Sequence, residues 1–216
     1  MIVHNLDKTN SILNHFISEI RDHEIQKDSM RFRRNIERIG EILSYEMSKE
    51  FNFQSNAVKT PLGEKVIPQV DDDLVLCSVL RAGLPLHQGV LNYFDQIENA
   101  FISAYRKHSS PEEFEIKVEY LATPSLDDKI LILADPMLAT GSSLAAVYEV
   151  LKEKWEIKQL HVVSVIAAQQ GIDFIANQFP EDTHLWVATV DPQLNSKGYI
   201  VPGLGDAGDL AFGNKL

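Results

Sequence analysis

Residues 130–143 read ILILADPMLATGSS. Ile130 to Ala134 are five apolar residues in succession, the pattern of a strand buried on both faces in a helix-covered parallel sheet. An aspartate, Asp135, stands where that strand stops. Thr140, Gly141, Ser142 and Ser143 then open a helix predicted over 144–154. In open α/β sheets ligands bind at the carboxyl ends of strands. A helix N-terminus presents unpaired N–H groups and a partial positive charge. Gly141 lets a ligand come close to the backbone, and the hydroxyls add donors, so the turn can hold a phosphate without a lysine. An ordinary Thr or Ser N-cap would account for TGSS alone; strand, aspartate and turn together point to an anion. No lysine lies between Ile130 and Ala146, so this is not the P-loop of nucleoside triphosphatases.

The same alternation extends outward. Leu74 to Leu80 (LVLCSVL) is a second continuous apolar run, followed by a helix from Leu84 to about Asp95. Further strands are predicted at 100–105, 129–134, 160–167 and 184–190, with a helix at 172–178. Residues 107–115 (KHSSPEEFE) are polar and hold a proline, so they read as the tip of an arm that returns along 116–120. Residues 53–70 read as a hairpin turning near Pro61, Leu62 and Gly63. Residues 1–52 read as helical. Ile12, Phe16 and Ile20 recur every fourth residue. Phe32, Ile36, Ile39, Leu43 and Met47 share a face, with Ser29 as N-cap and Arg31, Arg34, Arg38 and Glu41 on the solvated side. From Asp191 onward neither period holds. The expected fold is therefore α/β: a parallel sheet flanked by helices, with an N-terminal helical segment, a β-arm and an irregular C-terminal loop. One domain over 1–216 is expected, with its core at 71–190 between segments 1–70 and 191–216.

Twenty basic against thirty-one acidic residues give a net charge of −11, which argues against a general nucleic-acid surface. No apolar run approaches the ~18 residues of a membrane span. The N-terminus lacks the basic-then-apolar pattern of a secretory signal, and Cys77 is the single cysteine, so a cytoplasmic protein is expected. Cys77 lies inside an apolar run and reads as packing; the seven histidines show no metal-ligand spacing. Five of the seven arginines fall within the first 38 residues, leaving only Arg81 and Arg106 beyond. Both follow predicted strands, at the sheet edge that carries Asp135. They are candidates for planar contacts to phosphate or diphosphate. Gly203-Leu-Gly205-Asp-Ala-Gly208 matches G-x-G-x-x-G, but no βαβ unit follows it, so a dinucleotide site is not expected. Its exposed backbone can still recognise a small planar ligand, with Asp206 and Asp209 placed to orient hydroxyls or water.

These stretches together resemble a known family. RFR at 31–33, RAGL at 81–84, YR at 105–106, DPMLATGSS at 135–143 and GYIVPGLGDAGD at 198–209 are similar, in order and spacing, to the uracil phosphoribosyltransferases. The resemblance implies a type I phosphoribosyltransferase fold and transfer of a 5-phosphoribosyl group from phosphoribosyl diphosphate to uracil, giving UMP and diphosphate. It implies a phosphoribosyl diphosphate site made of Arg81, Arg106, Asp135, Pro136, Met137, Leu138, Ala139, Thr140, Gly141, Ser142, Ser143 and Asp206. Uracil would be held by Ile200, Gly205, Asp206 and Ala207, largely through backbone atoms. Arg106, Asp135 and Asp206 would carry catalysis, and Mg²⁺ would arrive on the diphosphate, bound mainly by substrate and water. The resemblance also implies a homodimer or higher homo-oligomer and leaves room for GTP as an effector and for the 107–115 arm as a lid. Two departures stand out: Ser142 where the family usually has a second glycine, and Leu210 where a basic residue is common. A UMP-sensing RNA-binding regulator and a catalytically silent nucleotide-binding homologue stand beside the enzyme as alternative readings.

Overall fold

The computed structural model describes residues 1–108 and 114–215, and side chains at 1–103 and 119–215. The chain begins with strand β1 (Ile2–Asn5) and helices α1 (Leu13–Arg21) and α2 (Ser29–Met47). The hairpin β2 (Phe53–Thr60) and β3 (Gly63–Val70) comes next. The core then runs β4 (Leu74–Leu80), α3 (Leu84–Leu91), β5 (Glu98–His108), β6 (Phe114–Ala122), β7 (Ile130–Ala134) and β8 (Met137–Leu138). It continues through α4 (Ser142–Lys152), β9 (Gln159–Ala168), α5 (Gln169–Ala176) and β10 (His184–Asp191). The tail holds β11 (Gln193–Leu194), β12 (Ile200–Val201) and α6 (Ala207–Phe212).

The main sheet has the order β1-β10-β9-β7-β4-β5-β6, with β8 beside the end of β9. All pairings are parallel except β5 with β6. That antiparallel pair continues beyond the last β4–β5 partner, Leu80 with Ser103, as the expected arm; its tip, 109–113, lies outside the described residues. Alternate side chains serve two cores, as a sheet covered on both faces requires. Leu74 and Leu76 of β4 pack with Phe32, Ile36 and Leu43 of α2 and with Leu86 of α3. Val75, Cys77 and Val79 pack with Val147 and Leu151 of α4 on the other face. Burial holds the Cys77 thiol up at about 12, so it stays protonated and inert.

The structure corrects the expected elements in several places. Residues 2–5 are strand, not helix: four residues carry no readable period, and their pairing with β10 is a contact across the whole chain. The N-cap of α2 is Asp28, whose carboxylate accepts the N–H groups of Met30 and Arg31 at 3.1 Å; Ser29 is the first helical residue. Helix α3 stops at Leu91, where the Asn92 amide donates to Glu37 and Glu41 of α2. Helix α5 starts three residues early because its first two residues are exposed and its apolar stripe begins only at Ile172. The tail is not irregular throughout, but its strands of two residues and helix of six are too short to show a period.

At the amino ends of β1, β9 and β10, three histidines and a tryptophan stack on one sheet face. His4 lies 3.7 Å from Trp186 and His161 lies 4.9 Å from His184, centroid to centroid. His4 Nε2 and His184 Nδ1 share a hydrogen bond at 3.1 Å, and Trp186 Nε1 donates to His161 Nδ1 at 3.1 Å. His161 is fully buried, and its Nε2 meets no hydrogen-bond partner among the described residues. Burial, reinforced by His184 and His4, pushes its pKa down to about 3.

Candidate active site

Strand β7 delivers the chain to the carboxyl edge of the sheet. The Asp135 N–H bonds to Val163 O at 3.1 Å, and its carboxylate accepts the Met137 N–H at 3.2 Å. Strand β8 then pairs Met137 with Ile166 and Leu138 with Ala167, lifting the chain over the end of the sheet. Helix α4 follows from a left-handed Gly141, φ +80°, an N-cap position with no side chain of its own. A turn that needs positive φ takes glycine without steric penalty. Thr140 Oγ1 donates to Ser142 Oγ at 3.1 Å and accepts the Ser142 N–H at 3.4 Å.

The tail forms the facing wall. Asn195 Oδ1 accepts the N–H groups of Lys197 and Tyr199, which turns the chain into β12. Asp206 caps α6, its Oδ1 accepting the Asp209 N–H at 2.9 Å. Between the walls lies a cleft of about 440 Å³. Asp135, Met137 to Gly141, Ser143 and Leu144 line one side; Lys197 to Ile200 and Gly205 to Gly208 line the other, with Ala82 and Lys215 at its margins.

Most of the predicted site residues meet in this cleft: Asp135, Met137, Leu138, Ala139, Thr140, Gly141, Ser143, Ile200, Gly205, Asp206 and Ala207. Pro136 does not line it; its carbonyl accepts N–H groups from Val165 and Ile166 of β9. Ser142 does not line it either, because its hydroxyl turns to Thr140. Arg81 stands behind the tail wall. Its guanidinium donates to Asp209 at 2.8 Å and to the Gly213 carbonyl, while its Nε is buried with no hydrogen-bond partner among the described residues. The Arg106 side chain lies outside the described residues; its backbone pairs with Ile116 in the arm. Leu210 packs against the core on the α2 face of the sheet. Lys197, Tyr199 and Lys215 line the cleft without having been singled out. Lysine is common elsewhere in the chain, so only its position in the fold distinguishes these two.

Desolvation pushes the Asp135 carboxyl from its ordinary 3.8 up to about 7, against a single backbone N–H that favours the anion. A carboxyl whose pKa is raised on folding stabilises the fold fully below its unfolded pKa. That contribution is lost as pH rises, here between about pH 4 and about pH 7. The ligand-free Asp135→Asn protein should therefore melt above wild type at pH 8, with the two curves converging at pH 4. A melting series across pH tests this, and a constant offset would refute it.

Among the described residues no group of three or more histidines, cysteines or carboxylates could hold a metal ion by itself. Asp135 and Asp206, on facing walls, match instead a cation carried largely by substrate oxygens and water, as Mg²⁺ is in phosphate sites.

The family profile described as uracil phosphoribosyltransferase matches residues 8–214. A uracil phosphoribosyltransferase of Porphyromonas gingivalis is 52% identical over 216 residues, covering all of both chains. One from Pyrococcus furiosus is 40% identical, covering 93% of this chain and 85% of its own. The solved structure of an Aquifex aeolicus protein superposes with a TM-score of 0.85 at 30% identity, covering 98% of each chain. A hypoxanthine phosphoribosyltransferase from Staphylococcus aureus shares the fold, with a TM-score of 0.51 at 15% identity over 75% of this chain and 76% of its own.

Proposed function

Because the chain belongs to the uracil phosphoribosyltransferase family, a family of pentosyltransferases that make UMP and diphosphate from uracil and phosphoribosyl diphosphate, we propose that the cleft between β7–α4 and the tail is where it carries out this reaction. The observation that carries the reading is the facing of the two walls: the N-terminus of α4, opened by a left-handed Gly141, on one side and the turn at Gly205 to Ala207 on the other. Thr140, Gly141 and Ser143 hold the 5′-phosphate through N–H and hydroxyl donors. Asp135 lies by the ribose hydroxyls. Ile200, Gly205 and Ala207 hold uracil, and Asp206 stands where base and ribose meet. Breaking the anomeric C–O bond leaves positive charge on the ribose and a diphosphate leaving group. Anions near the sugar and cations near the diphosphate therefore stabilise the transition state. Arg81 and Arg106 serve the diphosphate, and Mg²⁺, when bound with it, neutralises part of its charge. Arg81 is already oriented by Asp209, so diphosphate has to compete with that carboxylate for it.

All 216 residues act here as one unit, and the reading places them in the cytosol as a homodimer or larger. The hairpin β2–β3 supports the oligomer: apart from Val58 every one of its residues is exposed, with Leu62 fully so, and an isolated two-stranded hairpin is marginal in water. No described helix is long and apolar enough to cross a membrane.

The deciding assay offers phosphoribosyl diphosphate and Mg²⁺ with uracil, orotate, cytosine, hypoxanthine or adenine, each with and without GTP. UMP from uracil alone is expected. Turnover of hypoxanthine would refute the base assignment, and no turnover with any base would favour a silent nucleotide-binding homologue.

A further inference from the structure

Outside the cleft, a connected polar cluster joins the end of α1 to the end of β10. Arg21, the last residue of α1, meets Asp191, the last residue of β10, through two parallel bonds of 2.9 and 2.8 Å. The same carboxylate accepts the Gly203 N–H at 2.8 Å, and the same guanidinium donates to the Gly203 carbonyl at 3.1 Å. One ion pair thus holds both polar backbone groups of a single tail residue. The cluster continues from Arg21 to Thr189 Oγ1 at 3.3 Å, and from that hydroxyl to Asp7 at 2.7 Å. Asp191 is 5% exposed.

We infer that Arg21 and Asp191 are positioning residues for uracil, acting through the backbone of Gly203; this rests on the placement of the base proposed above. Gly203 lies between Ile200 and Gly205, the two sides of the proposed base pocket, and does not itself line the cleft. Its φ is +64°, and a Cβ there would fall 2.1 Å from the Ile200 carbonyl oxygen, so the segment is folded tightly on itself. A shift of Gly203 therefore changes the separation of the pocket's two sides. Helix α1 does not need the pair for anchorage, since Leu13, Ile17 and Ile20 already bury it. Ion pairs withdrawn from water are in any case poor sources of net stability, and this one, with Asp191 buried and Arg21 partly so, is placed to specify one geometry of Gly203.

The test measures initial rates for Arg21→Lys, Asp191→Asn and Asp191→Ala, varying uracil and phosphoribosyl diphosphate separately. Lysine keeps the charge but cannot make the fork. The KM for uracil should rise about ten- to a hundredfold, as expected for loss of charged hydrogen bonds. The KM for phosphoribosyl diphosphate should stay within about twofold. Asp191→Asn should be milder than Asp191→Ala, because its carbonyl oxygen still accepts the Gly203 N–H. Should Arg21→Lys not fold, the isosteric Asp191→Asn gives the same reading. Both KM values moving together, or neither moving, would overturn the inference. Ala207→Val, in the pocket wall, separates it from the site assignment. A raised uracil KM there beside unchanged Arg21 and Asp191 variants removes the clip alone. A silent Ala207→Val removes the base placement and the clip with it.

Discussion

Asp206→Asn should lower kcat by about two to three orders of magnitude, the scale seen when one preorganised electrostatic contact to a transition state is removed. The melting temperature should barely change, because asparagine caps a helix about as well as aspartate. The Asp209 N–H that Oδ1 now accepts keeps its partner after the exchange. Charge alone is lost, at the point where the tail wall faces Asp135 across the cleft. On the proposed placement this charge opposes the positive character that develops on the ribose, so it matters most in the transition state. The loss should therefore fall on kcat, with the uracil KM little altered. Steady-state kinetics with a parallel melting curve measures both, and near-normal kcat would remove Asp206 from the catalytic machinery.

The second large effect is expected from Gly141→Ala. At φ +80° an alanine costs about 1–2 kcal/mol in backbone strain. Its Cβ would also stand 2.8 Å from Ile175 Cγ2, 2.9 Å from Phe174 Cδ1 and 3.1 Å from the Gly171 carbonyl, all on α5. The exposed Phe174 ring can swing aside, but the fully buried Ile175 and the Gly171 backbone leave the new methyl to push the turn off α5 or rotate its N–H groups. Each N–H bond to a charged phosphate is worth roughly 1.5–3 kcal/mol. Losing one strong or two weaker bonds, about 3 kcal/mol together, should lower kcat/KM for phosphoribosyl diphosphate by about a hundredfold. Ser142→Ala is the control: its hydroxyl is turned to Thr140, so the change should be small. Equal losses in the two variants would mean that the turn is merely part of the fold.

The sheet was legible because its strands are long apolar runs: β4 and β7 were visible to within a residue. The turn at Thr140 to Ser143 was legible for a related reason, since strand, aspartate and glycine-hydroxyl turn follow one another without interruption. The tail wall of the cleft was not legible from periodicity, because β12 and α6 are too short to show one; the resemblance in GYIVPGLGDAGD singled that stretch out. Arg21 and Asp191 escaped altogether. Their partners lie 170 residues apart in sequence, and Arg21 was hidden among five N-terminal arginines that otherwise serve surface pairs and helix packing. Arg81 was correctly expected at the carboxyl edge, but its engagement with Asp209 depends on where the tail lands, which no local pattern records.

The stacked histidines have a consequence for the order in which the molecule comes apart. His161 takes up a proton readily in the unfolded chain, near pH 6.5, but in the fold only near pH 3. Its share of stability is therefore present above pH 6.5 and drains away as acid is added. Asp135 works in the opposite sense, favouring the fold once it is protonated. These groups occupy opposite edges of one sheet, so acid loosens the β1–β10–β9 corner while it tightens the floor of the cleft. Early in an acid titration, amides beside His161 should lose protection from hydrogen exchange before those at the Asp135 turn, giving a half-opened chain whose chemistry-bearing edge is the last to fray.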